Sequence, residues 1–137
     1  MEHIANPIKA ISNWLDHLNE DGVLFLVLPK KESNFDWRRP DTSFDHLLKD
    51  YKNNIEEDDL THLDEIIKLH DFNKDVGLAN KNEKINIFKE NLKYRQIHHH
   101  IFNLELLFEI GKYFGCQSVF SGSVKKNHFI ILRKVSR

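Results

Sequence analysis

The sequence predicts an α/β domain, and three observations carry that prediction. Pro7 to Leu18 is amphipathic, Val23 to Leu28 is an unbroken apolar run, and two apolar segments near the C-terminus flank Lys125-Lys126. In the first segment Ile8, Ile11, Trp14, Leu15 and Leu18 recur at the steps of one helix face. Asn6 is placed to cap that helix, and Pro7 takes the first helical position, where a missing N–H is harmless. Glu20-Asp21-Gly22 supplies a turn. Val23–Leu28, ended by Pro29, then reads as a strand covered on both faces, because no polar residue alternates with its apolar ones. A helix, a short turn and such a strand in succession lay the helix across one face of a sheet.

Residues 30–97 read as a helical insertion in a single domain spanning 1–137. Thr42 caps a helix through Asn53, with Asp45 as a weaker capping-box acid and Phe44, Leu47, Leu48 and Tyr51 on its apolar side. A second helix runs from Asp58 or Asp59 to about Leu69, and the acidic run from Glu56 suits its N-terminal dipole. Asp71 to Asn82 turns polar around Val76-Gly77, a loop signature, and Glu83 to Leu92 forms a third short helix. Asn103 caps a helix to Phe114, with Gly115 at its stop. Gln117–Val124 and Asn127–Val135 close the domain as an antiparallel hairpin.

Charge and composition narrow the function classes. With 20 basic and 21 acidic residues the net charge is 20 − 21 = −1, so no global field favours nucleic acid or an anionic membrane. No apolar run approaches the roughly 20 residues of a membrane helix, and Met1-Glu2-His3-Ile4 lacks the plan of a signal peptide. The single Cys116 excludes an internal disulfide and suits a reducing compartment, which makes the cytoplasm the expected location.

Several stretches together carry a resemblance: Glu2-His3-Ile4-Ala5-Asn6-Pro7-Ile8, Glu20 to Pro29, Phe35-Asp36 with Arg39-Pro40, Thr42 to Tyr51, Asp58 to Leu63, Leu69-His70-Asp71 and His98 to Phe102. They resemble the C-terminal half of a class I S-adenosylmethionine-dependent methyltransferase of the type 11 kind. The resemblance implies a partial Rossmann-like sheet, one parallel strand plus a C-terminal antiparallel hairpin, with flanking helices and the insertion. It implies that Val23–Leu28 is the fifth strand of that fold and the hairpin its sixth and seventh. It also puts Glu2 and His3 after the fourth strand, near the reactive end of the cofactor. The five glycines, Gly22, Gly77, Gly111, Gly115 and Gly122, form no Gly-x-Gly turn between strand and helix, so the cofactor loop is missing. S-adenosylmethionine is therefore expected only if an N-terminal-half protein supplies that loop. Met1 would fall in mid-domain, and the chain alone is expected to be inactive.

Candidate site residues follow from position. Asp36, Trp37, Arg38 and Arg39 come after the C-terminal end of a strand, where open α/β sheets place ligands. Either arginine suits a substrate carboxylate or phosphate, or a loop salt bridge; Asp36 could orient it or accept a substrate proton; Trp37 offers a stacking surface or plain packing. His98, His99 and His100 offer a general base toward a small-molecule methyl acceptor, or fill structural positions. His46 and Asp50, one helical turn apart, either face that cleft or form a solvent-side pair. No metal is assigned. Adjacent histidines point different ways, His62, His70 and Asp71 are the only helpers in view, and no two histidines have the i, i+4 helical spacing of a zinc site. An alternative reading is a non-catalytic module that pairs with another chain, or with itself as a homodimer, through an exposed strand edge.

Overall fold

A computed structural model describes residues 1–77 and 80–135. Six α-helices and a three-stranded antiparallel sheet make a mixed α/β architecture. Helix α1 (Pro7–Asp16) begins as the sequence predicts: Asn6 Oδ1 accepts from the Lys9 N–H at 3.1 Å, and Pro7 lies in the first turn. It ends at Asp16 rather than Leu18, with Ile8, Ile11 and Leu15 turned into the core.

Strand β1 (Val23–Pro29) departs from expectation in two ways. Leu26 and Leu28 are buried, but Val23, Phe25 and Val27 are 49%, 59% and 49% exposed, so only one face is covered. Helices α1 and α6 (Leu104–Tyr113) contribute most of the helical side of its core on that face, and nothing among the described residues covers the other. Nor is β1 a parallel strand. It pairs antiparallel with β3 (Asn127–Arg133), from Val23 opposite Arg133 to Pro29 opposite Asn127. The turn at Lys125-Lys126 folds β2 (Gln117–Val124) onto β3, and β3 returns between the other two, giving the order β1-β3-β2. Lys125 takes the left-handed φ of 50° that a two-residue hairpin turn asks for. β1 is thus an edge strand, and the expected parallel neighbour is not among the described residues.

One core joins α1, α6, β1 and β3 with Phe102 and with Leu47 of α2 (Phe44–Lys52). Gly111 lets α6 approach the sheet closely, since a Cβ there would lie 2.7 Å from Leu132 Cδ2. On the opposite face Phe25, Val27, Phe120, Val124, Phe129 and Ile131 line a shallow groove of about 480 Å³.

The segment 30–97 is helical in part, with shifted boundaries. Ser43 rather than Thr42 caps α2, its Oγ accepting from the His46 N–H at 3.2 Å. Thr42 is committed elsewhere: its N–H donates to the Ile101 carbonyl and its Oγ1 accepts from the Ile101 N–H. Helix α3 (Leu63–Leu69) is shorter than expected, and the third predicted helix divides into α4 (Lys81–Lys89) and the single turn α5 (Asn91–Tyr94). Asn80 and Glu83 form a capping box on α4. Ile66, Phe88 and Ile97 make a second, smaller core under these helices. The predicted polar loop is described up to Gly77, while Leu78 and Ala79 lie outside the described residues. Asn103 caps α6 and Gly115 follows it with φ +67°, both as predicted. No helix among the described residues is long and apolar enough to cross a membrane.

Candidate functional site

The segment Arg95–Asn103 has no regular secondary structure and is stitched to its neighbours through its backbone. The His99 N–H donates to the Glu2 carbonyl at 2.8 Å, and His3 Nδ1 lies 3.0 Å from the Ile97 carbonyl. Arg39 donates from Nη1 to the His98 carbonyl at 2.7 Å and from Nη2 to that of His99 at 3.3 Å. Successive side chains of an extended segment leave it in different directions, so the three histidines reach three different partners.

His98 meets Asp36. Its Nδ1 is hydrogen-bonded to the Asp36 carboxylate, and its ring centroid lies 4.6 Å from that of His3. Asp36 is 1% exposed. Burial opposes its ionisation, but the His98 hydrogen bond and the charges of His98 and Arg39 outweigh it and hold the carboxyl below its usual range. An ionised Asp36 only accepts, so His98 Nδ1 carries the proton of this bond. Burial, then the neighbouring His98, lower the pKa of His3. Glu2, His3 and His98 each bring one donor atom to within 4.8 Å of the others.

Arg39 ties this arrangement together. Its side chain is 2% exposed, Nε donates to Glu65 Oε1 at 2.9 Å, and Nη1 donates to Asp36 Oδ1 at 3.1 Å. With the two carbonyl bonds, four of its roughly five N–H groups are used inside the protein. The guanidinium therefore holds the Asp36 loop against the histidine segment. Trp37 and Arg38 sit apart from it at the surface, where Trp37 Nε1 donates to Asp71 Oδ2 at 2.8 Å and the Arg38 guanidinium lies 4.8 Å from the Trp37 ring centre.

His99 is packed among side chains. Its Nε2 accepts from the Asn91 side-chain amide at 3.3 Å, and Asn91 Oδ1 accepts from the Ile97 N–H. Burial, then the neighbouring His100 and His62, lower its pKa to about 3.

His100 turns toward a second cluster. Its Nε2 lies 2.9 Å from Asp50 Oδ2, His46 Nε2 lies 3.2 Å from the same oxygen, and His62 Nε2 lies 3.2 Å from His46 Nε2. Asp50 is only 8% exposed while the His46 side chain is 36% exposed, and the pair belongs to this cluster of histidines. Burial lowers the pKa of both His62 and His100; repulsion from His100 and His46 adds to it at His62, while at His100 repulsion from His46 adds to it and the bond to Asp50 opposes it. Burial works against ionisation of Asp50, yet its bond from His100 and the nearby imidazoles keep its pKa below the usual range. His46 and Arg39 both border a cavity of about 210 Å³, while Trp37 and Arg38, with which the sequence also groups His46, stand outside it. The sequence pairs Asp50 with His46 by their spacing and offers His62 only as a helper of the triple histidine in a metal site. His70 and Asp71 do not join the triple histidine, since His70 Nε2 pairs with Asp75 at 3.0 Å and Asp71 holds Trp37.

Two spaces adjoin His98. A cavity of about 10 Å³ at the C-terminal end of β1 is lined by Glu2, Pro29, Asp36 and His98 among others. A larger one of about 430 Å³ is bordered by His3, Phe35, His70, Tyr94 and His98. Compared with protein-family models, curated proteins and solved structures, the chain matches none of them.

Proposed function

We propose that the chain is the acceptor-side half of an S-adenosylmethionine-dependent methyltransferase-like fold, with His98 as general base and Asp36 as its orienting partner. The observation that carries this reading is the His98–Asp36 pair, which stands beside Glu2 and His3 just past the C-terminal end of β1. Ligands of open α/β sheets gather at that end of the strands. The free edge of β1 and the uncovered apolar face of the sheet are surfaces that a further α/β half would bury, which supports the same reading.

The cofactor would supply an electrophilic methyl group. The residues present do not enclose it: the cavity beside Glu2, at about 10 Å³, holds no more than a water molecule. The reading therefore assigns the cradle to another half and gives this chain the acceptor's proton. A neutral His98 accepts that proton at Nε2, while Asp36 holds the ring by Nδ1 and stabilises the imidazolium, a contribution of about 10²–10⁴ in rate for a positioned base. The cavity of about 430 Å³ on which His98 opens is large enough for a small acceptor.

Titration of S-adenosylhomocysteine into the purified chain, followed by backbone amide NMR, tests this reading. Weak saturable shifts at Glu2, His3 and Lys30, with a dissociation constant of about 1 mM or weaker, are expected, together with no methyl transfer by the chain alone. A dispersed spectrum that stays unmoved removes Glu2 and His3 from the cofactor, and turnover by the chain alone removes the half-site reading. Unmoved peaks accompanied by a symmetric dimer in sedimentation would favour the second reading, a non-catalytic module pairing through β1.

A further inference from the structure

We propose that His46, Asp50, His62 and His100 form a tetrahedral Zn²⁺ site. Their donor atoms, Nε2 of the three histidines and Oδ2 of Asp50, all lie within 4.8 Å of one another. The close separations are 2.9 Å for His100 to Asp50, 3.2 Å for His46 to Asp50 and 3.2 Å for His46 to His62. Zinc bonds of about 2.0–2.1 Å in a tetrahedron place neighbouring donor atoms roughly 3.3 Å apart. Three of the six separations are near that spacing and the other three lie within 4.8 Å, so a modest rearrangement of side chains would admit the ion.

The folding of the chain explains how they meet. His46 and Asp50 share a face of α2 by their i, i+4 spacing. His62 stands just before α3 and caps nothing with its side chain, which leaves its ring to turn inward. His100 comes from the extended segment, fixed from behind by the bonds between Thr42 and Ile101. Three stretches of chain far apart in sequence thus each aim a nitrogen or an oxygen at the same place.

Chemistry selects the ion. Imidazole nitrogens and one carboxylate suit zinc, whereas calcium and magnesium take oxygen-rich shells of six or more. Three neutral imidazoles and one carboxylate leave a single negative charge, which a divalent cation over-compensates by one. Four protein donors close the shell, the arrangement of a structural site and not of a catalytic one with an open position. Bound zinc would clamp α2 and the start of α3 to the histidine segment, and so fix the direction in which His98 is presented. The His46 side chain is 36% exposed, which gives the ion a way in from solvent. The site does not depend on the methyltransferase-like reading, because none of its four residues belongs to the His98–Asp36 pair.

The test uses the full chain without an affinity tag, stripped with a chelator and shown by NMR to be folded. Calorimetric titration with Zn²⁺ alone should give one ion per chain with a dissociation constant below about 1 μM. Co²⁺ in its place should develop the intense visible bands of a tetrahedral site. His62→Asn should weaken zinc binding at least about 100-fold, given that even outer-shell partners are worth 10–100-fold. His46→Asn, at a partly exposed position that tolerates change, should do the same in a folded chain. His128→Asn, on the distant β3, should leave binding unaltered. The assignment is overturned if the stripped wild type binds zinc no tighter than the His46→Asn chain, if several ions bind weakly, or if cobalt gives only the pale spectrum of an octahedral complex.

Discussion

Replacing Arg39 with alanine should lower the free energy of unfolding by about 3–5 kcal/mol, the usual effect of removing one partner from a buried ion pair. Asp36, 1% exposed, would then be left as a buried carboxylate whose remaining side-chain partner is His98. The carbonyls of His98 and His99 would lose their donors as well. A domain of this size has only about 5–15 kcal/mol in total, so much of the population would unfold under mild denaturant. Arg39→Lys should recover little, because a single ammonium cannot reproduce the planar fork that reaches Glu65, Asp36 and two carbonyls. Arg38→Ala should change stability by about 0–1 kcal/mol, since its pairing with Asp71 is at the surface. Urea unfolding followed by circular dichroism compares the three. Equal midpoints for the Arg38 and Arg39 variants would mean that the buried network contributes no more than a surface pair.

Acidification between about pH 7.5 and pH 5 should destabilise the chelator-treated chain, by about 2 kcal/mol from His99 alone at the lower end. The sign follows from the direction of the shift. Folded His99 has a pKa of about 3 against the usual 6.5, so the unfolded state binds the extra proton as pH falls below 6.5. Above that value both states are neutral and the residue contributes no pH dependence. Below it the loss grows until the folded pKa is reached. His3, His62, His70 and His100 are shifted the same way, each with burial as the largest cause, and add to the trend. Asp36 and Asp50 are shifted below their usual value of 3.8 and so begin to lose their contribution only at lower pH. Urea midpoints at the two pH values, for the wild type and His99→Gln, measure the effect. The variant should show a visibly flatter dependence, and a wild-type midpoint that does not move would show that His99 is not held neutral by burial.

Local features were legible because local interactions produce them. α1, α6 and the C-terminal hairpin follow from apolar periodicity, from Asn6 and Asn103 as caps, and from Gly115 and Lys125 at positions with positive φ. The Ser43 cap shows where such reasoning stops. Thr42 and Ser43 offer the same hydroxyl chemistry, and only the pairing of Thr42 with Ile101, 59 positions along the chain, leaves the cap to Ser43. The site divides in the same way. His98, His99 and His100 stand out in the sequence, but their partners, 62, 8 and 50 positions away, are set by the fold: Asp36 for the first, Asn91 for the second and Asp50 for the third.

By itself the sequence determined a mixed α/β chain with its helices and hairpin nearly in place, because periodicity and capping act within a few residues. Tertiary structure alone decided that β1 is an antiparallel edge strand bare on one face, since an apolar run does not encode which strand pairs with it or which face is covered. It also decided that Arg39 is turned inward and that His62 joins His46, Asp50 and His100. Both outcomes rest on contacts between segments far apart in sequence, which no local pattern specifies.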